Sequence, residues 1–311
     1  MWRASRHDER LSLAPELGQG QHICEELSGM GGGTTQRRPG PPRQRPSTPV
    51  PTSTDLPAQY SLAKILGIWA AAALPMGLGY WVITPVVADG PYDTVVLATS
   101  TLAAGLVWQF VLAMLILRRE EKSVGPSAMA RRLWLQVPRD PVNGRPRKRL
   151  LWLLAPLGIA FVLNMMYLAP AIQNLQQHLL PGLAPLPFQN AETLFSTEVA
   201  PRMEGAWWFL ALFLTLSIFN VFLGEEFIFR GILLPRMQGV FGSADWFANG
   251  VLFGLYHLHQ PWTAGGIMLT SGLIMSLPVR RYRSMWLSVI PHSIQTVIVF
   301  GMLLGLMRGT A

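Results

Sequence analysis

Six apolar runs of 18 to 24 residues follow one another after residue 61: 62–84, 94–117, 150–169, 206–223, 262–279 and 285–307. A helix crossing a hydrocarbon core of ~30 Å needs about 20 such residues. Lipid offers no partner for a free amide or carbonyl, so runs of this kind resolve into helices. Only 14% of the 311 residues are charged, whereas a soluble domain carries about a quarter. The expected fold is therefore all-α, a polytopic integral membrane protein. Two more segments, 225–240 and 243–260, are apolar but carry polar groups, with Phe241 and Gly242 as the turn between them. Counting both gives about eight transmembrane helices.

The formal charge of +8 would ordinarily suggest nucleic acid, but its position argues against that. Between Arg118 and Arg149 lie ten basic and three acidic residues, so one loop accounts for +7 of the +8. Lys and Arg collect in short cytoplasmic loops because they resist translocation. The loops at 85–93 and 170–205 are acidic and read as outside. A tail over residues 1–60, dense in Pro, Gly and Arg, is expected to be disordered and cytoplasmic. No secretory apolar core precedes Ser61, so the tail is not expected to be a cleaved signal. The expected organisation is thus a tail over 1–60, N-terminal helices with a basic cytoplasmic loop over 61–205, and a helical core over 206–308. The lone cysteine, Cys24, excludes an intrachain disulfide framework.

Between residues 206 and 307 the acidic residues are Glu225, Glu226 and Asp245. Two adjacent carboxylates and the Arg230 guanidinium, set among aromatic and aliphatic neighbours, cost several kcal/mol to bury unpaired. Glu226 and Arg230 are four apart with the acid first, the favourable order for a helical ion pair. Glu225 points about 100° away round the helix and lacks that partner. Such a carboxylate beside water suits a general base; a structural salt bridge with one unpaired Glu is the alternative.

Phe253 and His257 are also four apart, so the ring can pack under the imidazole. Both Glu225 and His257 lie 16 residues from Phe241, so a hairpin turning there brings them to similar depth. His259, about 200° round a helix from His257, is expected to miss the site. On the last apolar run His292 is followed by Gln295 and Thr296, which share its face. Glu225, His257 and His292 supply a carboxylate and two imidazoles, a set that suits either a divalent metal such as zinc or a metal-free water-activating site. No HExxH pattern is present, which excludes the ordinary zinc-protease arrangement.

These residues resemble the CPBP family of intramembrane endopeptidases, also called the CAAX protease and bacteriocin-processing or ABI family. Glu225, Glu226 and Arg230 match its EExxxR motif, Phe253 and His257 its FxxxH motif, and His292 the histidine of HxxxN. The resemblance implies peptide hydrolysis in a membrane-embedded cavity, with the first Glu activating water and the histidines binding metal or stabilising an oxyanion. It also implies a bacterial cell membrane and a peptide or protein substrate, with or without a lipid. The family asparagine falls at Thr296, so Gln295 is the candidate replacement amide. Two other classes fit the same polar residues: a non-catalytic membrane scaffold or bacteriocin-immunity protein, and a proton-coupled transporter.

Overall fold

Six helices in the computed structural model are long and apolar enough to cross a membrane: α1 (Leu62–Val87), α2 (Pro91–Glu120), α3 (Lys148–Leu179), α4 (Trp207–Arg236), α6 (Pro261–Tyr282) and α7 (Trp286–Met307). A seventh, α5 (Asp245–Tyr256), has 12 residues and spans about 18 Å, too short to cross alone. The structure describes residues 57–121, 125–183, 185 and 191–310, which contain no β-strand. The tail expected over 1–60 lies outside the described residues up to position 56.

The count of eight fails at two places, at short α5 and at the segment before it. The segment 225–240 is not a separate span; it continues the run 206–223 as one 30-residue helix, α4. Gly224 and the two glutamates break the hydropathy there without breaking the helix. A Cβ at Gly224 would sit 2.9 Å from the Leu106 carbonyl oxygen, so glycine serves close approach to α2 rather than a turn. The turn comes later, at Gly242, whose φ of 56° lies in the left-handed region that favours glycine.

This connectivity also fixes which loops share an end of the bundle. The Arg139 N–H donates to the Tyr282 carbonyl at 2.8 Å and the Met285 N–H to the Trp134 carbonyl at 2.9 Å, so the 280–285 turn lies against the basic loop. At the opposite end the Gly205 N–H meets the Met307 carbonyl at 3.0 Å, and the Arg202 guanidinium lies 3.7 Å from the Tyr92 ring centre. Short α5 returns the chain between those ends: Asp245 pairs with Arg280, while Leu258, just past the helix, accepts from Trp81 late in α1. The arginines at 280, 281 and 283 therefore stand beside the other basic residues, where an eight-helix count would have separated them.

Residues 59 and 60, assigned to the tail by composition, are tied to the bundle instead: exposed Gln59 donates to the Pro235 carbonyl at 3.1 Å. Tyr60 is buried; its N–H donates to the Arg236 carbonyl at 3.0 Å and its hydroxyl to Glu120. Arg236 is itself buried and grips the same carboxylate at 2.5 Å. Burial pushes the Tyr60 hydroxyl pKa up, so it remains a neutral donor. Low apolar content in the tail hid these two residues because they are held by polar contacts to groups more than 50 positions away, the Pro235 carbonyl for Gln59 and Arg236 and Glu120 for Tyr60.

Candidate active site

Glu225 and Glu226 lie in α4 immediately before a π-type turn, Phe227–Leu233. Such a turn widens the helix and is frequent at functional sites. Asn249 of α5 answers one of its carbonyls, donating to Phe229 at 2.8 Å while accepting from the Ser276 hydroxyl at 2.8 Å. Opposite, α6 has a π-type turn of its own at Thr270–Ser276. α5 and α6 approach closely because glycines face each other: a Cβ at Gly250 would lie 2.6 Å from the Gly272 Cα. Small residues of this kind let helix backbones meet in a membrane interior.

Glu226 is fully buried and triply held. Its Oε1 lies 3.4 Å from Arg230 Nη1 and 3.0 Å from His292 Nδ1, and its Oε2 accepts from the Ser288 hydroxyl. Arg230 in turn donates to the Ser271 hydroxyl at 2.5 Å and lies 4.1 Å from the Phe253 ring centre. Its Nε and Nη1 make no hydrogen bond, so the Glu226 charge and the aromatic face carry most of its compensation. Neither serine was singled out from sequence. Hydroxyls at 271 and 288 inside apolar runs were the available signal, and tertiary pairing is what gives them meaning.

Glu225 contrasts with its neighbour. It is 2% exposed, its carboxylate lies within hydrogen-bonding reach of the Tyr256 hydroxyl, and its Oε2 has no hydrogen-bond partner. That oxygen stands 3.9 Å from His292 Nε2, beyond direct hydrogen-bonding distance. Both atoms therefore keep capacity toward a cavity of about 390 Å³ that Glu225, His257, His292 and Gln295 line together. Phe253 meets the His257 ring edge to face at 4.9 Å, and His257 Nδ1 lies 2.8 Å from the Phe253 carbonyl. A carbonyl only accepts, so Nδ1 carries the proton.

His259 lines the same cavity, contrary to the expectation that it would miss it. The helical projection fails because α5 ends at Tyr256, and His257, with ψ 50°, is already outside helical geometry. His259 packs 5.4 Å from the His257 ring and 6.0 Å from Tyr80. Thr296 is absent from the cavity wall, whereas Gln295, one residue earlier, is on it.

Residues 206–308 match the family model described as type II CAAX prenyl endopeptidase Rce1-like. This part of the chain is a domain of that family. No curated protein and no solved structure matches the chain. The endopeptidase domain begins at α4 and ends with α7, so every polar group just described except Tyr80 falls within it. With six candidate spans, the protein is an integral membrane protein carrying a CAAX-type endopeptidase domain.

The domain's donor set can be tested against a metal. Both imidazoles hold their Nδ1 on an acceptor, as metal-binding histidines do. A catalytic zinc needs three protein ligands, however, and among the described residues no three His, Cys, Asp or Glu side chains are placed to hold an ion. Glu225 and His292 come within 3.9 Å, and His257 does not complete a ligand triangle with them. The arrangement does not fit a three-ligand centre.

Proposed function

We propose that the chain is an intramembrane endopeptidase in which Glu225 activates the hydrolytic water. The observation that carries this reading is the Glu225 Oε2 oxygen, buried, without a hydrogen-bond partner, on a residue that lines a cavity with His257, His259 and His292. In this mechanism Glu225 removes a proton from water as the water oxygen bonds to the scissile carbonyl carbon. The carbonyl π electrons move to oxygen. Collapse of the tetrahedral intermediate breaks the C–N bond, and Glu225 returns its proton to the leaving nitrogen.

The developing oxyanion is stabilised by donors from His292 and Gln295, while His257, whose Nδ1 proton is held by the Phe253 carbonyl, has only an acceptor left at Nε2. His292 acts through Nε2, because Glu226 occupies its Nδ1 and supplies the negative charge that balances an imidazolium. Arg230 and Ser288 position Glu226, so they act through it rather than on the substrate. The substrate is a membrane-associated peptide or protein, with a lipidated C-terminus as the form the family description favours. The basic end of the bundle, which gathers the loop at 131–149 and the arginines at 280–283, is the cytoplasmic one.

The test is cleavage of quenched-fluorescence peptides, with and without a C-terminal prenyl group, by purified protein in detergent. Turnover by the wild type and none by Glu225→Gln supports the reading. Equal turnover by both removes Glu225 from the reaction.

A further inference from the structure

The end of the bundle that gathers the basic loop holds a second cavity, about 440 Å³, between the 139–144 turn, the start of α5 and the end of α6. Arg139, Arg280, Arg281 and Arg283 line it, against Asp140 and Asp245. Both carboxylates are already engaged. Asp245 binds Arg280 at 2.5 Å, and Asp140 binds Arg147, which lies outside the cavity wall, at 2.8 Å. Arg139 donates to two neutral acceptors, the Gly144 carbonyl at 3.2 Å and Gln136 Oε1 at 3.0 Å, so its charge is held in place without being neutralised.

The backbone adds to this arrangement. Arg283 adopts a left-handed conformation, φ 47° and ψ 47°, which costs a residue with a Cβ about a kcal/mol or more. Hydrogen bonds to the basic loop, from Ser284 Oγ to the Gln136 carbonyl at 2.6 Å among them, hold the turn. The result brings three arginines within four residues to one cavity. Its other wall is apolar: Leu277, one turn before Arg280 and 37% exposed, and Trp246, packed edge-on to the 58% exposed Phe247. The site thus grades from guanidinium to apolar side chains over a short distance.

We propose that this cavity binds the phosphate of an anionic phospholipid, with the headgroup among Arg139, Arg281 and Arg283 and the acyl chains along Leu277 and Trp246. Guanidinium forks match phosphate oxygens, and basic clefts between helices at a membrane face suit anionic headgroups. A soluble phosphate would use the arginines but leave the apolar wall without a role, which favours the lipid source. The site is distinct from the peptidase cavity: no residue lines both.

The experiment is native mass spectrometry of the full chain, released from detergent in an equimolar mixture of phosphatidylglycerol and phosphatidylcholine. Preferential retention of phosphatidylglycerol is expected. Arg139→Gln with Arg281→Gln should reduce that preference about 30-fold, at about 5-fold per arginine. Arg202→Gln, at the opposite end, should leave it unchanged. Should the double variant misfold, Arg281→Gln alone, at an exposed position, carries the test at about 5-fold. Equal retention of the two lipids, or a preference that survives substitution, overturns the proposal. So does calorimetric binding of inorganic phosphate without any lipid preference, which would assign the cavity to a soluble phosphate instead.

Discussion

His292 Nδ1 lies 3.0 Å from Glu226 Oε1, which makes the second glutamate of the motif the anchor of a histidine 66 residues further along the chain. The same carboxylate also meets Arg230 at 3.4 Å. One buried anion therefore orients both a guanidinium on its own helix and an imidazole on α7. Because the carboxylate accepts at Nδ1, Nε2 is turned toward the cavity and toward Glu225. Adjacent glutamates thus have different tasks, one structural and fully bonded, the other left with an unpaired oxygen.

Their substitutions should separate accordingly. Glu225→Gln is expected to abolish peptide cleavage while leaving expression and thermal stability close to wild type. Glu226→Gln should lose activity and also stability, by about 3–5 kcal/mol, because Arg230 stays buried without its counter-charge. Melting curves in detergent alongside the cleavage assay read both quantities. Identical stability losses in the two variants would contradict the division of roles.

At the other end of α4, Tyr60 and Arg236 converge on Glu120. Deleting residues 1–55 should leave insertion and activity unchanged, because that stretch lacks the apolar content to pack. Extending the deletion through Tyr60, or introducing Tyr60→Ala, should lower the melting temperature by removing a buried ring and a charge-assisted hydrogen bond, ~3–5 kcal/mol together. Activity lost on the shorter deletion, with insertion intact, would mean that the tail contributes to substrate or partner binding.

Periodicity and hydropathy made the six long helices legible, and spacing alone put Glu226 beside Arg230 and Phe253 beside His257. The break at Gly224–Glu225–Glu226 misled, because a hydropathy gap resembles a loop when its polar groups are in fact paired inside the bundle. Splitting α4 there also separated the arginines at 280–283 from the other basic residues. His292 lies six residues into α7, whose start is packed inside the protein: Ser284 and Met285 are buried, and Trp286 stacks on Phe222 of α4 at 5.7 Å. Neither Ser271, Ser288 nor Asn249 carries a local signature. Each becomes significant only through a partner on another helix, which one sequence does not encode in any short window.

Since Glu225, His257 and His292 do not form a three-ligand centre, incubation with a strong zinc chelator followed by desalting should leave turnover unchanged. Metal analysis of the purified protein should then find less than stoichiometric zinc. Activity that falls with chelation and returns with added zinc would show that the three side chains close on an ion in the working enzyme.

The third motif offers the sharpest test, because there the sequence departs from its family and the geometry distinguishes two candidates. Gln295 is on the cavity wall and Thr296 is not. If the Gln295 amide donates to the oxyanion, Gln295→Ala should reduce kcat by roughly 100- to 1000-fold, the usual cost of one such donor, with KM little changed. Thr296→Val should have only a small effect. Adding Thr296→Asn to Gln295→Ala should fail to rescue turnover, since a side chain at 296 leaves the helix about 100° away from one at 295. Rescue by Asn at 296 would mean that α7 is rotated in the working enzyme, bringing the family position to the cavity and displacing Gln295 from it. Full activity in Gln295→Ala and in Thr296→Val alike would remove both from the reaction and leave His292 as the oxyanion donor.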